Sequence, residues 1–568
     1  MLLKDLYDLA GRLEGEPDPA KRLPPPGYEP KRVALQFRLD PGGTCVRVVD
    51  TRTPDNKLKG ETMVVPNLKR SGTKPPPCLV VDNLRFVAGL SVDGAASEVE
   101  RHDAYLHLLD QAIDASPDAA LDLRAVRQFA TDPQRVTQAI QASGVSDCTS
   151  DMLATFFVSD RHVPDHPQVQ QFWADVLSTD LAGDIGTCQV TGAVGPLARK
   201  TPALRGLPGN QPTLSSANFS AAEHYGLAQA QSARLSVDAA VRSSAMLNWL
   251  LTHPNHHHRV GTLTFVWWCP DDVEFDPLGN VLSPDPAAVK KLLAASIWSE
   301  HPLITDSSQF RCVALDSESG SARVSVRSDH TTTLQIVDQH LRRWFTLTAL
   351  PGKEGTTYWP GIRRLAESAA RPSTAVPMAA TQKRLIADLV THALLGRPLP
   401  RSHLGQVIGR CRAERHVTNE RAALLRLLVT KEDPMDSHSS ATICGALFAE
   451  LESLQREAIP NLNRTIADSY YASVSTTPRA VIPGLLRRSE AHLSKLRRDR
   501  PAAHVAISRR IAELMANLSR DGGIPATLNL EGQAEFALGY WSRRHEQFEA
   551  IQKHKSEQST DPTHEENP

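Results

Sequence analysis

The sequence predicts an α+β protein: an N-terminal mixed α/β body with short antiparallel strands, then a C-terminal all-α helical bundle. Three observations carry this expectation. Short alternating or β-branched apolar runs, cut by Pro and Gly turns, are confined to residues before about 330. After residue 331 the strand signals disappear and apolar residues recur at helical spacing. No internal repeat is visible along the 568 residues.

The elements follow in order. Leu2, Leu3, Leu6, Ala10 and Leu13 mark an amphipathic helix over 2–13. A loop with Pro24, Pro25, Pro26 and Pro30 follows. Val33, Leu35, Phe37 and Leu39 alternate with polar residues as in a half-buried strand, and Pro41-Gly42-Gly43 turns it into Cys45–Val49. Thr62–Val65 and Leu79–Val81 are two more expected strands, joined by a basic, proline-rich loop. Ser97-x-x-Glu100 is a capping box opening a helix to Ala115. Further helices are expected over 119–141 and 168–182, with loop-rich sequence from Asp184 to Asn218. Ser236 caps a helix to Leu251, and Thr262–Cys269 is a β-branched and aromatic strand. Phe310–Leu315 and Ala322–Val326 form a hairpin. Helices then fit 331–349, 379–395, 403–430, 440–458, 462–472, 479–498, 503–519 and 530–553. The expected organisation is a body over 1–330, a helical connector over 331–430, a bundle over 431–555 and a polar, disordered tail over 556–568.

Composition excludes little. Apolar residues make up 41% and charged residues 22%, enough for large buried cores. Net charge is −1, so any nucleic-acid footprint must be local. The eight cysteines are scattered, without Cys-x-x-Cys or ligand-spaced Cys/His pairs, which argues against a zinc ribbon and for reduced thiols in a cytoplasmic protein. No apolar run approaches the length of a membrane span. A P-loop and a Gly-x-Ser-x-Gly elbow are both absent. His102-Asp103 is a lone doublet, and His253, His256, His257 and His258 are read as an exposed turn. The sequence therefore presents no catalytic residue, metal site or cofactor site.

Two segments concentrate positive charge. The first is Pro66-Asn67-Leu68-Lys69-Arg70-Ser71-Gly72-Thr73-Lys74-Pro75-Pro76-Pro77. Lys69, Arg70 and Lys74 suit phosphates, Gly72 permits close backbone approach, and the prolines limit loop entropy. A solvated surface loop is the alternative for any such segment. The second runs from Arg487 to Arg510, where eight Arg and Lys residues face only Glu490 and Asp499. Leu485, Leu486, Leu493 and Leu496 supply its apolar face. A cationic helical stripe suits a single strand held by its phosphates, and a solvated helix face is again the alternative.

Several blocks in order carry a family resemblance. They are Pro24, Pro26, Gly27 and Tyr28; Lys69-Arg70-Ser71-Gly72; Cys188-x-x-Thr191-Gly192; Pro196-Leu197-Ala198 and Gly206; Ser216-Ala217-Asn218-Phe219; Tyr225-Gly226; and Leu247-Asn248. Ala322–Arg327, Gly396–Pro400, Thr465, Ile466, Asp468, Tyr470 and Tyr471, Pro478, His492-Leu493, and Phe536, Leu538, Gly539 and Tyr540 continue the pattern. Together they resemble the large subunit of the type I-C CRISPR surveillance complex, Cascade. One departure is Pro208–Pro212, where the family usually carries a Gly- and Ser-rich stretch.

The resemblance implies a non-catalytic subunit that reads the PAM in duplex DNA, helps open the duplex and holds the displaced strand. It assigns Lys69, Arg70, Ser71, Gly72, Thr73, Lys74, Asn83 and Asn218 to the PAM region, with Gln211 a further base-edge candidate. It assigns Arg487, Arg488, Lys495, Arg497, Arg498 and Arg500 to the displaced strand. Implied partners are the crRNA, target double-stranded DNA, the backbone subunits, the crRNA-processing subunit and a recruited helicase-nuclease. In this family the C-terminal bundle also resembles a small subunit translated internally from the same gene, and Met435 is a candidate start here. Two other readings stay open: a metal-dependent nuclease using acids and histidines near 162–184, and a scaffold without sequence readout.

Overall fold

The computed structural model of the chain describes residues 2–18, 21–55, 59–68, 70, 75–89, 96–210, 212–215, 223, 227–269, 276–294, 309–318, 320, 322, 324–352, 356–371, 380–429 and 439–559. Two compact units form, one from Met1–Pro254 with Ser317–Ser325, the other from Asn255–Asp316 with Val326–Pro568. The change of sequence character at 331 falls inside the second unit.

The first unit opens with α1 (Leu2–Leu13), which buries Leu6, Leu9 and Ala10. Then come β1 (Tyr28–Val33), β2 (Leu35–Leu39), β3 (Cys45–Asp50), β4 (Glu61–Pro66), β5 (Asp82–Asn83), α2 (Leu84–Val87) and α3 (Ala96–Ala115). They are followed by α4 (Ala120–Ala130), α5 (Pro133–Ala142), β6 (Leu153–Val158), β7 (Arg161–His162), α6 (Pro167–Leu181), β8 (Ala182–Thr187), β9 (Val194–Ala198) and α7 (Val237–Thr252).

Its main sheet has the order β3-β2-β6-β5, with β7 on β6. The β2–β3 hairpin is antiparallel, as the Pro-Gly-Gly turn predicts, while β2 and β6 run parallel with Phe37 opposite Phe156. These two rings stack at 5.3 Å, and Phe129 of α4 closes on both, so α4 packs on the sheet through an aromatic cluster. The cluster adds about 1 kcal/mol per pair beyond area burial. β1 and β4 form a separate antiparallel ribbon from Tyr28↔Pro66 to Val33↔Glu61.

Several expectations are corrected in this unit. Leu79–Val81 is not a strand, because Val80 has φ +62°, which no strand accommodates. α3 spans Ala96–Ala115, so Ser97 lies inside the helix rather than ahead of it. The helix expected over 119–141 is two, because Pro133 restarts the chain behind Asp132, whose carboxylate accepts from the Gln134 amide at 2.9 Å. The loop-rich stretch after Asp184 contains the β8–β9 hairpin. Ser236 caps α7 as expected, its Oγ accepting from the Ala239 amide.

The second unit starts with β10 (His257–Val260), β11 (Leu263–Trp268), α8 (Gly279–Leu282), α9 (Pro286–Ala294), β12 (Gln309–Asp316) and β13 (Ser325–Thr333). These strands form one sheet in the order β10-β11-β12-β13. His257 and His258 thus belong to a strand rather than to an exposed turn, and His258 bonds Asp276 at 3.0 Å. β13 runs on to Thr333, which caps the next helix, so that helix begins later than 331.

Next are α10 (Leu334–Thr348), β14 (Leu350–Pro351), β15 (Thr357–Tyr358), α11 (Ile362–Ala369), α12 (Ala380–Leu395), α13 (Arg401–Glu414) and α14 (Asn419–Leu428). The expected helix over 403–430 is broken where Arg415 adopts the left-handed conformation at φ +56°. The chain ends with α15 (Ser440–Ala458), α16 (Ile466–Val474), α17 (Pro478–Asp499), α18 (Pro501–Arg520) and α19 (Leu530–Ser559). α19 extends into the segment expected to be a disordered tail, and residues 560–568 lie outside the described residues.

α15 and α19 are the most intimate pair. They run in the same direction, with Ser439 bonded to Glu535 near one end and Glu450 to Gln547 further along. Glycines permit this approach. A Cβ on Gly445 would stand 2.0 Å from the Phe536 carbonyl oxygen, and one on Gly539 would stand 2.1 Å from that of Thr442. Each glycine therefore seats the other helix's backbone. Glu450 is fully buried and bonds Arg543, while Glu452 accepts from the Tyr540 hydroxyl at 2.6 Å.

Candidate nucleic-acid interface

The basic loop leaves the β1–β4 ribbon after Pro66. The Asn67 amide donates to the Gly27 carbonyl at 2.8 Å, which fixes where the loop departs. Lys69, Ser71, Gly72, Thr73 and Lys74 lie outside the described residues. Arg70 is described, and its guanidinium turns inward. Nε donates to the Pro76 carbonyl at 3.0 Å, Nη2 pairs with Asp82, and the group lies 4.3 Å over the Phe86 ring. Asp82 is 1% exposed and also accepts from the Cys78 and Asn83 amides, each at 2.7 Å. Arg70 thus acts as the bolt that closes the loop.

The returning segment is strained. The Val81 amide donates to the Leu79 carbonyl at 2.6 Å around Val80 at positive φ, a γ-turn. A β-branched residue there stores about 1–3 kcal/mol. The Tyr105 hydroxyl holds the turn by donating to the Val80 carbonyl at 2.8 Å. Asn83 follows at the start of α2, and its Oδ1 is buried without a partner among the described residues. His102, half of the lone His-Asp doublet, bonds the Phe86 carbonyl at 2.8 Å and packs α3 on α2.

Beside the loop's base lies a cleft of about 780 Å³. Asn67, Leu68, Thr213 and Ser215 line it together with Asn248 and Trp249 of α7. Asn218 and Gln211 lie outside the described residues, so only the flanks of their segments are placed. Four features build the walls. Gly27 sits at φ +78° against Trp173 and Leu177, where a Cβ would meet Leu177 at 2.1 Å. Asn248 accepts from the Arg205 amide at 2.8 Å and donates to the Ala203 carbonyl at 3.0 Å, tying the 203–205 segment to α7. Gly206 bends at φ +76° against Leu251. Thr201 donates to the Ser215 carbonyl at 2.9 Å.

Charge in the cleft is mixed. Arg205 pairs with Glu29 of β1. Burial pushes the Glu29 carboxyl up, against the pull of Arg205 and Lys31. Burial also lowers the pKa of Lys31, and the nearby guanidiniums of Arg205 and Arg70 act in the same direction. Lys200 is exposed and has no ion-pair partner among the described residues. Asn248 stands out in the sequence but Lys200, Arg205 and Trp249 do not, since nothing in the local sequence marks isolated cations or one tryptophan as neighbours.

Cys188 is buried as expected, with an unusual thiol. Burial alone would raise its pKa, yet hydrogen bonds with Ser236 and Thr191 outweigh that and bring it to about 7. The histidines and acids near 162–184 are dispersed in structural roles. His162 bonds Thr155 and Asp165, His166 caps α6, and Asp184 accepts from Gln231. Among the described residues no group of three or more His, Cys, Asp or Glu is arranged to hold a metal ion.

The second cationic segment spans α17 and α18. α17 buries Ile482, Leu485, Ser489 and Leu496. At about 100° per residue, Arg487 and Arg498 stand opposite that seam, with Lys495 and Arg488 to one side of them and Arg497 to the other, in one broad arc. Arg488 donates to the Tyr470 hydroxyl at 2.6 Å and lies 6.0 Å over its ring. Arg498 pairs with Asp499 and Arg500 with Glu457. Arg487, Lys495 and Arg497 are exposed and carry no ion pair among the described residues.

Comparison with known families identifies the class first: the protein is CRISPR-associated. The model of the family described as CRISPR-associated protein (Cas_Csd1) matches residues 6–548, nearly the whole chain, and the chain belongs to that family. No curated protein matches it. Among the described residues no helix is long and apolar enough to cross a membrane.

Proposed function

We propose that this chain is the non-catalytic large subunit of a type I-C surveillance complex, and that its first unit reads the PAM beside the target. The observation that carries this reading is a convergence. Asn67 and Leu68 flank one segment assigned to PAM reading, Thr213 and Ser215 flank the other, and all four line one cleft. In this reading a guide RNA supplies sequence recognition by base pairing, and the protein contributes motif reading and strand separation, a division of labour also found in another class of RNA-guided effector. The exposed arc of α17 then follows the displaced strand. The crRNA, backbone subunits, crRNA-processing subunit and helicase-nuclease are the partners, and the cytoplasm is the site of action. Met435 lies outside the described residues, but a product beginning there contains all of α15–α19.

The test is binding of the guide-loaded complex, with and without this chain, to duplexes carrying randomised bases beside one matched target. Selection of a short flanking motif only when the chain is present is expected. Assembly without motif dependence would leave the chain a scaffold or strand holder. Metal-dependent cleavage by the isolated protein would favour the nuclease reading.

A further inference from the structure

We propose that the cleft of the first unit takes a single extruded nucleotide, its base against Trp249 and its phosphate toward Lys200. This rests on the nucleic-acid reading above and adds the form in which the ligand enters. The volume of about 780 Å³ falls in the range of small-molecule sites. A duplex, whose major groove alone is about 12 Å wide, does not fit such a space. One nucleotide does.

The lining matches that ligand from end to end. Trp249 and His253 both line the cleft and stack on each other at 3.7 Å with 23° between their planes, which holds the indole in one orientation. Val64, Leu177 and Val241 add apolar wall for the faces of a base. Arg205 is oriented by Glu29, and Lys200, an exposed lining residue, supplies the cation for a phosphate. Asn248 has both ends of its amide bonded within the protein and the Asn67 side chain bonds Glu29, so both build the wall and leave edge recognition to the Thr213–Ser215 side. A site built on stacking accepts any base, because every base has a π-face. The cleft therefore captures a nucleotide once the strands part, and sequence choice lies with the adjoining loops. The nucleotide comes either from DNA beside the target or from an unpaired part of the guide RNA.

The experiment places 2-aminopurine, one position at a time, in each DNA strand beside the target and, in a second arm, in the unpaired part of the guide. Emission is read in the guide-loaded complex containing the full chain. One position is expected to change several-fold on binding, in one arm only, which names the source. The change should persist in Trp249→Phe and vanish in Trp249→Ala, with binding weakened about five- to hundred-fold in the latter. Lys200→Ala should weaken binding and leave the signal in place. If no position in either arm responds to Trp249 while the complex still selects a flanking motif, the extruded-nucleotide proposal is overturned and the PAM reading survives. Loss of motif selection in the unaltered complex would instead remove the PAM reading.

Discussion

Arg70 and Asp82 form an ion pair across the base of the basic loop, with Asp82 1% exposed and Arg70 26% exposed. The pair makes a residue chosen for its charge into part of the fold. Removing one partner of a buried pair strands the other and costs about 3–5 kcal/mol. Arg70→Ala is therefore expected to lower stability by about 3 kcal/mol in urea unfolding, and Arg70→Ala with Asp82→Asn to recover much of it. Equal loss in both variants would refute the pairing. Any DNA-binding defect of Arg70→Ala must be read against this loss.

Gly27 is the second test. A side chain there is strained by φ +78° and blocked by Leu177 and Trp173. Gly27→Ala is expected to cost about 2–4 kcal/mol, from overpacking and backbone strain together. Unchanged stability would mean that the cleft floor can shift freely.

Arg487 and Lys495 are exposed and unpaired among the described residues. If a single strand follows α17, replacing each with Ala should reduce the slope of log affinity against log salt by about 0.7. Arg488→Ala should act differently, because it also releases Tyr470. A slope unchanged in the double variant would remove this arc from the strand's path.

Glu452 gives the second unit a pH dependence of known sign. Burial opposes its ionisation, but the Tyr540 hydroxyl bond and the Arg544 and Arg456 charges outweigh that and hold the carboxyl below its ordinary value. With a depressed folded pKa, its contribution is present above the unfolded value of about 4.3 and is lost as pH falls through the folded one. Urea midpoints followed by circular dichroism should drop on acidification below about pH 4, and Glu452→Gln should flatten that drop. An identical pH profile in the variant would sink the assignment.

The sequence was legible where local chemistry decided the structure. Ser236 caps α7 and Thr262–Cys269 brackets β11, because a cap and a β-branched run act through near neighbours. It was opaque where tertiary contacts overrode local preference. Leu79–Val81 has the composition of a strand, but the Tyr105 hydroxyl and the Asp82 anchor fix Val80 in a γ-turn. Arg415 breaks a helix with no Gly or Pro to announce it. β8 and β9 were hidden because they carry glycines and bury only Leu197 and Ala198. The basic segments were visible as charge, yet which cations remain available depended on partners as distant as Glu457 for Arg500.

The close seating of α15 against α19 has a consequence for the order of events during synthesis. The Tyr540–Glu452 bond joins residues 88 apart, and α19 leaves the ribosome well after α15. Until it emerges, Gly445 has no partner backbone and the buried carboxylates of α15 have no arginines from α19. Closing such long-range contacts is slow compared with forming local helices. The nascent bundle therefore waits with its centre open, and a ribosome that stalls short of Phe536 leaves an apolar trough exposed to whatever chain is nearest.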